Sequence, residues 1–286
     1  MVSSLRAGKK VLCRGIFLTT LLVLILPAMG WGQDIARSFN LSFDAYKPNS
    51  NELKYHGTYT LLEAKDRLQE RQVYVSPEGR LVQVTDTYFN KKTMVPTWFR
   101  SENREQGFLE EATVEGNRVN FLFTTPSDPP IRQAMDWENN SFFYPNLVPI
   151  VIAHWDELKA GKPAQFSIFL VPSGKFIEME LVSQGYSVRG DGKRVLSMEM
   201  HPRFVVYRVV IESLTIHFLD EGQLTLAEYT GLSAVKAENK KHPGTHMVFS
   251  QPRYRVIQAM KEGEVHSLPL AMAPMERIPL LVFPPN

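Results

Sequence analysis

The chain has 286 residues, of which 32 are Lys or Arg and 30 are Asp or Glu, and it contains a single cysteine, Cys13. Four of the basic residues, Arg6, Lys9, Lys10 and Arg14, lie in the first 14 positions, where there is no acidic residue. Without that basic terminus the chain has 28 basic and 30 acidic residues, a net charge of −2. This balance excludes the basic surface that a nucleic-acid-binding protein needs.

The amino terminus has the organisation of a cleavable export signal. The apolar run at residues 16–26 follows the basic residues and is too short for a bilayer span, which needs about 20 residues. Small residues then offer cleavage sites after Gly30 or Gly32. We therefore expect residues 1–32 to be a signal peptide and the mature chain to be periplasmic, without a transmembrane segment. Because Cys13 precedes the apolar run, the protein is not expected to be a lipoprotein.

Period-two alternation of apolar and polar residues dominates positions 35–124 and predicts a meander of about seven antiparallel strands. Phe39, Leu41 and Phe43, for example, alternate with polar residues. Gly57 interrupts one alternating strand, which indicates a bulge or close packing at that point. The sequence Ser-Pro-Glu-Gly at residues 76–79 predicts a β-turn and hence a hairpin.

The pattern changes after this meander. Residues 125–130 read as a proline-rich loop, and three- and four-residue apolar spacing over residues 144–158 predicts one amphipathic helix. Strands resume over residues 166–249, and the nearly continuous apolar stretch at 204–211 predicts a buried strand. Prolines in residues 251–286 predict an irregular, partly mobile tail.

These elements predict a single β-rich domain at residues 33–250. The expected fold class is mostly β, with a large curved antiparallel sheet (a half-barrel or open-barrel meander). The amphipathic helix is expected to pack its apolar stripe on the concave face of that sheet.

No sequence motif of a catalytic site is present in the mature chain. It has no cysteine nucleophile, no Gly-x-Ser-x-Gly elbow, no phosphate loop and no dinucleotide fingerprint. His242 and His246 have a spacing found in helical zinc sites, but the proline and glycine between them exclude a helix, so no metal site is predicted. Acidic pairs such as Glu110-Glu111 fit a solvated surface. The sequence thus predicts a protein that is not an enzyme and needs no cofactor.

Aromatic side chains are concentrated in the amino-terminal meander, and two interpretations are open. They form either a plain core between sheet and helix or the lining of an interior that holds an apolar ligand under a helical lid. A sealed core without room for a ligand would count against the second interpretation. The candidate ligand-lining residues are Tyr55, Tyr59, Tyr88, Trp98, Phe121, Phe123 and Trp155.

Four short segments resemble a family of uncharacterised exported bacterial β-rich proteins, over roughly residues 36–250. They are Leu53-Lys54-Tyr55-x-Gly57, Trp155-Asp156-Glu157-Leu158-x-x-Gly161, Phe169-Leu170-Val171-Pro172 and Leu226-x-x-Tyr229-x-Gly231. The resemblance implies a curved antiparallel sheet with a helix against it, similar at the level of the fold to the periplasmic lipoprotein carriers. It brings no catalytic signature with it.

Three functions follow from this reading. The first is binding of an apolar or lipid-like ligand, or of an envelope component, within the curved sheet. The second is an interaction module in envelope assembly that acts through a sheet edge or the carboxy-terminal tail by strand addition. The third is a carboxylate-based hydrolase, which needs converging Asp or Glu side chains in a cleft. No oligomeric state is predicted.

Overall fold

A computed structural model of the protein describes residues 36–208, 213–220, 224–235, 243–249 and 253–257. Strands make up most of this part of the chain, with three short helices between them. In chain order the elements are β1 (Ala36–Tyr46), β2 (Leu53–Glu63), β3 (Arg67–Val75), β4 (Leu81–Asn90), β5 (Pro96–Asn103), β6 (Phe108–Glu115), β7 (Arg118–Thr124), β8 (Ile131–Asp136), β9 (Ser141–Phe143), α1 (Leu147–Ala153), α2 (Trp155–Lys159), β10 (Ala164–Leu170), β11 (Lys175–Val188), β12 (Arg194–Pro202), α3 (Val205–Arg208), β13 (Leu214–Asp220), β14 (Leu224–Leu232), β15 (Gly244–Phe249) and β16 (Arg253–Ile257).

All these strands belong to one sheet built from two meanders. Strands β1 to β8 follow one another across one half of the sheet, and β9 to β15 follow one another across the other half. The halves join where β1 pairs antiparallel with β15, and β16 pairs with residues 36–40 of the same strand β1. Neighbouring strands are antiparallel apart from β9 and β10, which are parallel. The prediction of a mostly β, largely antiparallel sheet is confirmed.

The sheet is curved, since strands that are far apart in its order contact each other across its inner face. Phe99 of β5 stacks on Phe143 of β9, with 4.6 Å between ring centroids and 17° between ring planes. Inner-face side chains form two apolar clusters. The first includes Leu41, Tyr74, Met198 and Ile216, and the second includes Phe99, Phe121, Phe143 and Phe169.

The prediction of one continuous helix over residues 144–158 is wrong. The structure has two short helices, α1 and α2, which meet at His154, a residue whose φ of −112° and ψ of 17° are not helical. Its imidazole is buried and stacks on Phe166, with 5.7 Å between ring centroids. Packing of this ring onto the sheet, which periodicity cannot reveal, accompanies the break.

Other predicted boundaries also need correction. After Pro202 the backbone N–H of Arg203 donates to the carbonyl of Glu178, and the chain turns into the exposed helix α3 instead of the buried strand predicted at 204–211. Residues 209–212 lie outside the described part of the chain. The predicted irregular tail contains the strand β16, and its remainder from residue 258 also lies outside that part.

Two local predictions are confirmed. The turn at residues 76–79 joins β3 to β4, and Gly79 has the positive φ, 86°, that glycine adopts readily. At Gly57 the packing is close, because a Cβ atom there would lie 2.1 Å from the ring of Phe43. Glycine at this position therefore lets the Phe43 ring lie against the backbone of β2.

Candidate functional site

A stripe of polar side chains crosses the inner face of β3 and β4. In β3, Glu70 and Gln72 lie on the same inward face of the strand as Leu68 and Tyr74. The cross-strand register places Thr87 opposite Glu70, so the stripe continues into β4 on the same face. Five of its side chains are buried: Glu70, Gln72, Gln83, Thr85 and Thr87.

Residues 144–147, which we call the cover segment, lie over this stripe. The fully buried Asn146 donates from Nδ2 to Oε2 of Glu70 at 2.5 Å and to Oγ1 of Thr87 at 3.0 Å. Its Oδ1 accepts the backbone N–H of Phe143 at 3.2 Å. Gln72 donates to the backbone carbonyl of Pro145 at 3.3 Å. The stripe thus satisfies buried polar groups of the cover segment, as a buried backbone and amide require.

The other end of the cover segment is attached to β14. The hydroxyl of Tyr144 donates to the backbone carbonyl of Leu232 and lies 3.2 Å from the hydroxyl of Tyr229. Tyr229 also donates to the Leu232 carbonyl, at 2.7 Å. The cover segment therefore bridges the two halves of the sheet through hydrogen bonds at both ends.

Glu70 is the buried ionisable group at the centre of this arrangement. Burial raises its pKa to about 7, while the hydrogen bonds from Asn146 and Gln72 act in the opposite direction. Burial raises the pKa of the nearby Tyr59 hydroxyl, and the charge of Glu70 raises it further. The hydroxyl of Tyr59 nevertheless makes no hydrogen bond of acceptable geometry with Glu70. Glu70 therefore changes charge near neutral pH inside the protein.

Two small cavities flank the cover segment. Each has a volume of about 20 Å³, which is room for about one water molecule. Tyr144 and Pro145 line both of them. The first is mostly aromatic and apolar, lined by Phe43, Tyr59, Gln72, Tyr74, Tyr144, Leu147, Leu226, Tyr229, Met247 and Phe249 among others, and the second includes Gln83, Phe99, Ser101, Glu110 and Phe169.

The structure brings only some of the predicted lining residues together. Tyr59 lines the first cavity, and Tyr55 packs on Tyr74 beside it, with 6.2 Å between ring centroids. Phe121 and Phe123 belong to the second apolar cluster. Trp155 packs at the edge of the first cluster.

Tyr88 and Trp98 do not face the interior. Their rings stack on one another at 5.2 Å, and they occupy the positions that alternate with the buried, inward Phe89 and Phe99. Because side chains of a strand alternate between its faces, Tyr88 and Trp98 lie on the outer face of the sheet and line neither cavity.

The sequence reasoning missed Glu70 and Asn146, the two central residues of the site. A signal for Glu70 was present, because it occupies an inward position of an alternating strand where an apolar residue is expected. Asn146 gave no such signal, since it lies 76 residues from its partner in the chain.

The carboxylate pair Glu110-Glu111 is divided between the two faces of β6. Glu110 lines the second cavity, whereas Glu111 has the opposite parity and stands across from Arg100 of β5. Within the described residues, no group of three or more His, Cys, Asp and Glu side chains could hold a metal ion. None of the described helices is long and apolar enough to cross a membrane.

A solved structure resembles this chain with low similarity. No protein-family model matches the chain, and no curated protein sequence matches it. The chain is similar to a crystal structure described as a beta-barrel-like protein of domain of unknown function DUF1849 from Brucella abortus, with a TM-score of 0.48 and 10% sequence identity. That similarity covers 78% of this chain and 98% of the other.

Proposed function

We propose that the protein is an exported, periplasmic, non-enzymatic protein that binds an apolar or lipid-like ligand between the inner face of its sheet and the cover segment. The observation that carries this proposal is the aromatic cavity beneath the cover segment. Hydrogen bonds that water can replace hold that segment in place. The signal-like amino terminus supports the proposed location.

The described state is the closed one in this proposal. A cavity of about 20 Å³ admits no lipid chain, so the described core is sealed and counts against a preformed ligand pocket. The proposal therefore requires that a ligand displace the cover segment before it reaches Tyr59 and Tyr74. The attachments of that segment suit such a movement. Water can replace the donors and acceptors that Asn146, Gln72 and Tyr144 use, whereas an apolar contact has no equivalent partner in water.

Opening would expose a suitable surface. The side chains around the first cavity are aromatic or aliphatic, with Gln72 and the Tyr hydroxyls as the polar exceptions. Apolar binding sites of this composition obtain affinity from burial and orientation from a few polar groups. Met247 in the lining can adapt its shape to different chains.

The test is native mass spectrometry of the mature protein purified from its own envelope, followed by organic extraction. The proposal predicts a bound mass that disappears on extraction and an apolar molecule in the extract. A mass equal to the mature chain alone, together with no binding of an added apolar probe, would refute it.

A second candidate function is an interaction module for envelope assembly, and the exposed edge strand β8 favours it. Strand addition at a sheet edge uses main-chain groups that have no neighbour in the free protein. A crosslinking experiment in the envelope tests this candidate. It expects β8 to capture a protein other than a second copy of this chain, and the candidate fails if the crosslinks avoid β8 or reach only such a copy.

A further inference from the structure

Strand β8 is the last strand in the order of the sheet. It pairs with β7 on one side, and no described strand pairs with its other side. Its side chains are exposed, including Ile131 at 38%, and only Met135 is partly buried. An exposed edge of this kind presents unpaired backbone N–H and C=O groups.

The side chains of β8 have a definite arrangement on its two faces. Arg132, Ala134 and Asp136 stand across from outward residues of β7, because Val119 and Phe121 between those residues are buried inside. Arg132 and Asp136 are thus on the outer face, two positions on either side of Ala134. This gives the edge opposite charges placed symmetrically about its centre.

We propose that the β8 edge pairs antiparallel with β8 of a second copy of this chain, about a two-fold axis at Ala134. In an antiparallel pair, residues placed symmetrically about the centre stand opposite one another on the same face. Arg132 of each copy then faces Asp136 of the other, so the interface contains two ion pairs. A two-fold interface uses the same surface on both copies, which requires a self-complementary edge.

The ends of β8 limit the proposed interface to one short ladder. Pro129 and Pro130 directly precede the strand, and proline cannot donate a main-chain hydrogen bond to a neighbour. The ladder is therefore about six residues long on each copy, and the dimer is weak and depends on concentration. The charges select this register over others, because a two-fold axis at the neighbouring Gln133 would place Asp136 opposite Pro130.

Sedimentation velocity of the mature protein over a range of concentrations tests the proposal with two charge variants. Arg132→Glu places a carboxylate opposite Asp136 of the other copy, and Asp136→Arg places a guanidinium opposite Arg132. Each variant alone is expected to raise the dissociation constant of the dimer about tenfold or more. The matched control is Lys162→Glu, a charge reversal at an exposed position of another segment, which should leave the constant unchanged.

An equimolar mixture of the two charge variants gives the decisive result. In the mixed dimer, the carboxylate introduced by Arg132→Glu in one copy faces the guanidinium introduced by Asp136→Arg in the other. The native Asp136 of the first copy faces the native Arg132 of the second, so both ion pairs are restored. The proposal predicts that the mixture dimerises at concentrations where neither variant alone does. The mixture also guards against a folding defect, since a misfolded variant could not restore dimerisation.

Several outcomes would overturn the proposal. One is a wild-type protein that stays monomeric up to about 1 mM, the weak end of specific association. Another is a dimer that Arg132→Glu does not weaken, and a third is a mixture of variants that remains monomeric. A monomer in which the β8 amides that point away from β7, those of Arg132, Ala134 and Asp136, are protected from hydrogen exchange would also overturn it, because a segment of the same chain would then occupy the edge.

Discussion

The inner face of the sheet carries a stripe of polar side chains among apolar ones on β3 and β4 but is apolar on β12 and β13, although all four strands border the first apolar cluster. Glu70 and Thr87 stand opposite each other on the polar side, as Met198 and Ile216 do on the apolar side. Both pairs are buried. A buried polar group costs free energy unless it is hydrogen-bonded, so the polar side requires a partner that the apolar side does not.

That partner is the cover segment. Asn146 satisfies Glu70 and Thr87, and Gln72 satisfies the Pro145 carbonyl, so the polar strands hold the segment by directional bonds. The two regions of this core therefore have different roles. One side supplies stability by packing, and the other positions the cover segment, which the proposed function requires to move.

The largest expected effect concerns the charge of Glu70. The folded pKa of about 7 lies above the ordinary value of 4.5, so the folded state holds this proton more tightly than the unfolded state does. The resulting stabilisation is full below about pH 4.5 and is lost as the pH rises through about 7. Between about pH 4.5 and pH 7, the unfolding free energy of the wild type should fall by about 3 kcal/mol. The unfolding free energy of Glu70→Gln should not show this fall, because glutamine does not ionise.

Urea unfolding of both proteins at about pH 4 and pH 8 measures this difference. Met200→Ala, on the apolar side, is the contrasting variant. It should lower the unfolding free energy by about 2–5 kcal/mol, and by the same amount at both pH values. If Glu70→Gln and the wild type showed parallel pH dependence, the polar side would not differ from the apolar side in the way described.

The next effect is the loss of the bonds made by Asn146. Asn146→Ala removes both donations to the polar stripe and leaves the buried Glu70 carboxylate without its shortest hydrogen bond. We expect a loss of about 2–3 kcal/mol of unfolding free energy at neutral pH. Asn120→Ala, at an exposed position of β7, is the matched control and should change stability by less than about 0.5 kcal/mol. Equal effects of the two substitutions would contradict the role of Asn146.

The smallest effect is expected at the far end of the cover segment. Tyr144→Phe removes the hydroxyl that donates to the Leu232 carbonyl, but Tyr229 continues to donate to the same oxygen. The cost should be about 1 kcal/mol, measured by the same unfolding experiment. A cost as large as that of Asn146→Ala would show that hydrogen bonds at both ends hold the cover segment equally strongly.

Much of the strand content could be predicted from the sequence because its causes are local. Alternation defined the strands of the amino-terminal meander, and the turn at residues 76–79 and the tight packing at Gly57 followed from single residues. The junction of β1 with β15 could not be predicted, since it pairs segments about 200 residues apart. The break at His154 is likewise accompanied by packing on Phe166, which belongs to another element.

The site was less predictable than the fold. Aromatic residue type does not by itself indicate which face of a strand a side chain occupies, whereas alternation with the buried Phe89 and Phe99 places Tyr88 and Trp98 on the outer face. The polar stripe could have been recognised from Glu70 and Gln72 at inward positions of β3. Its meaning could not, because the cover segment reaches β3 only through tertiary structure.

The most direct test of the account is titration of the mature protein with the apolar fluorescent probe N-phenyl-1-naphthylamine, for the wild type and for Asn146→Ala. If the cover segment must move before an apolar ligand can bind, the variant populates the open state more often. We expect both proteins to bind the probe and Asn146→Ala to bind it about tenfold more tightly. Equal affinities, or no binding by either protein, would contradict a binding site beneath the cover segment.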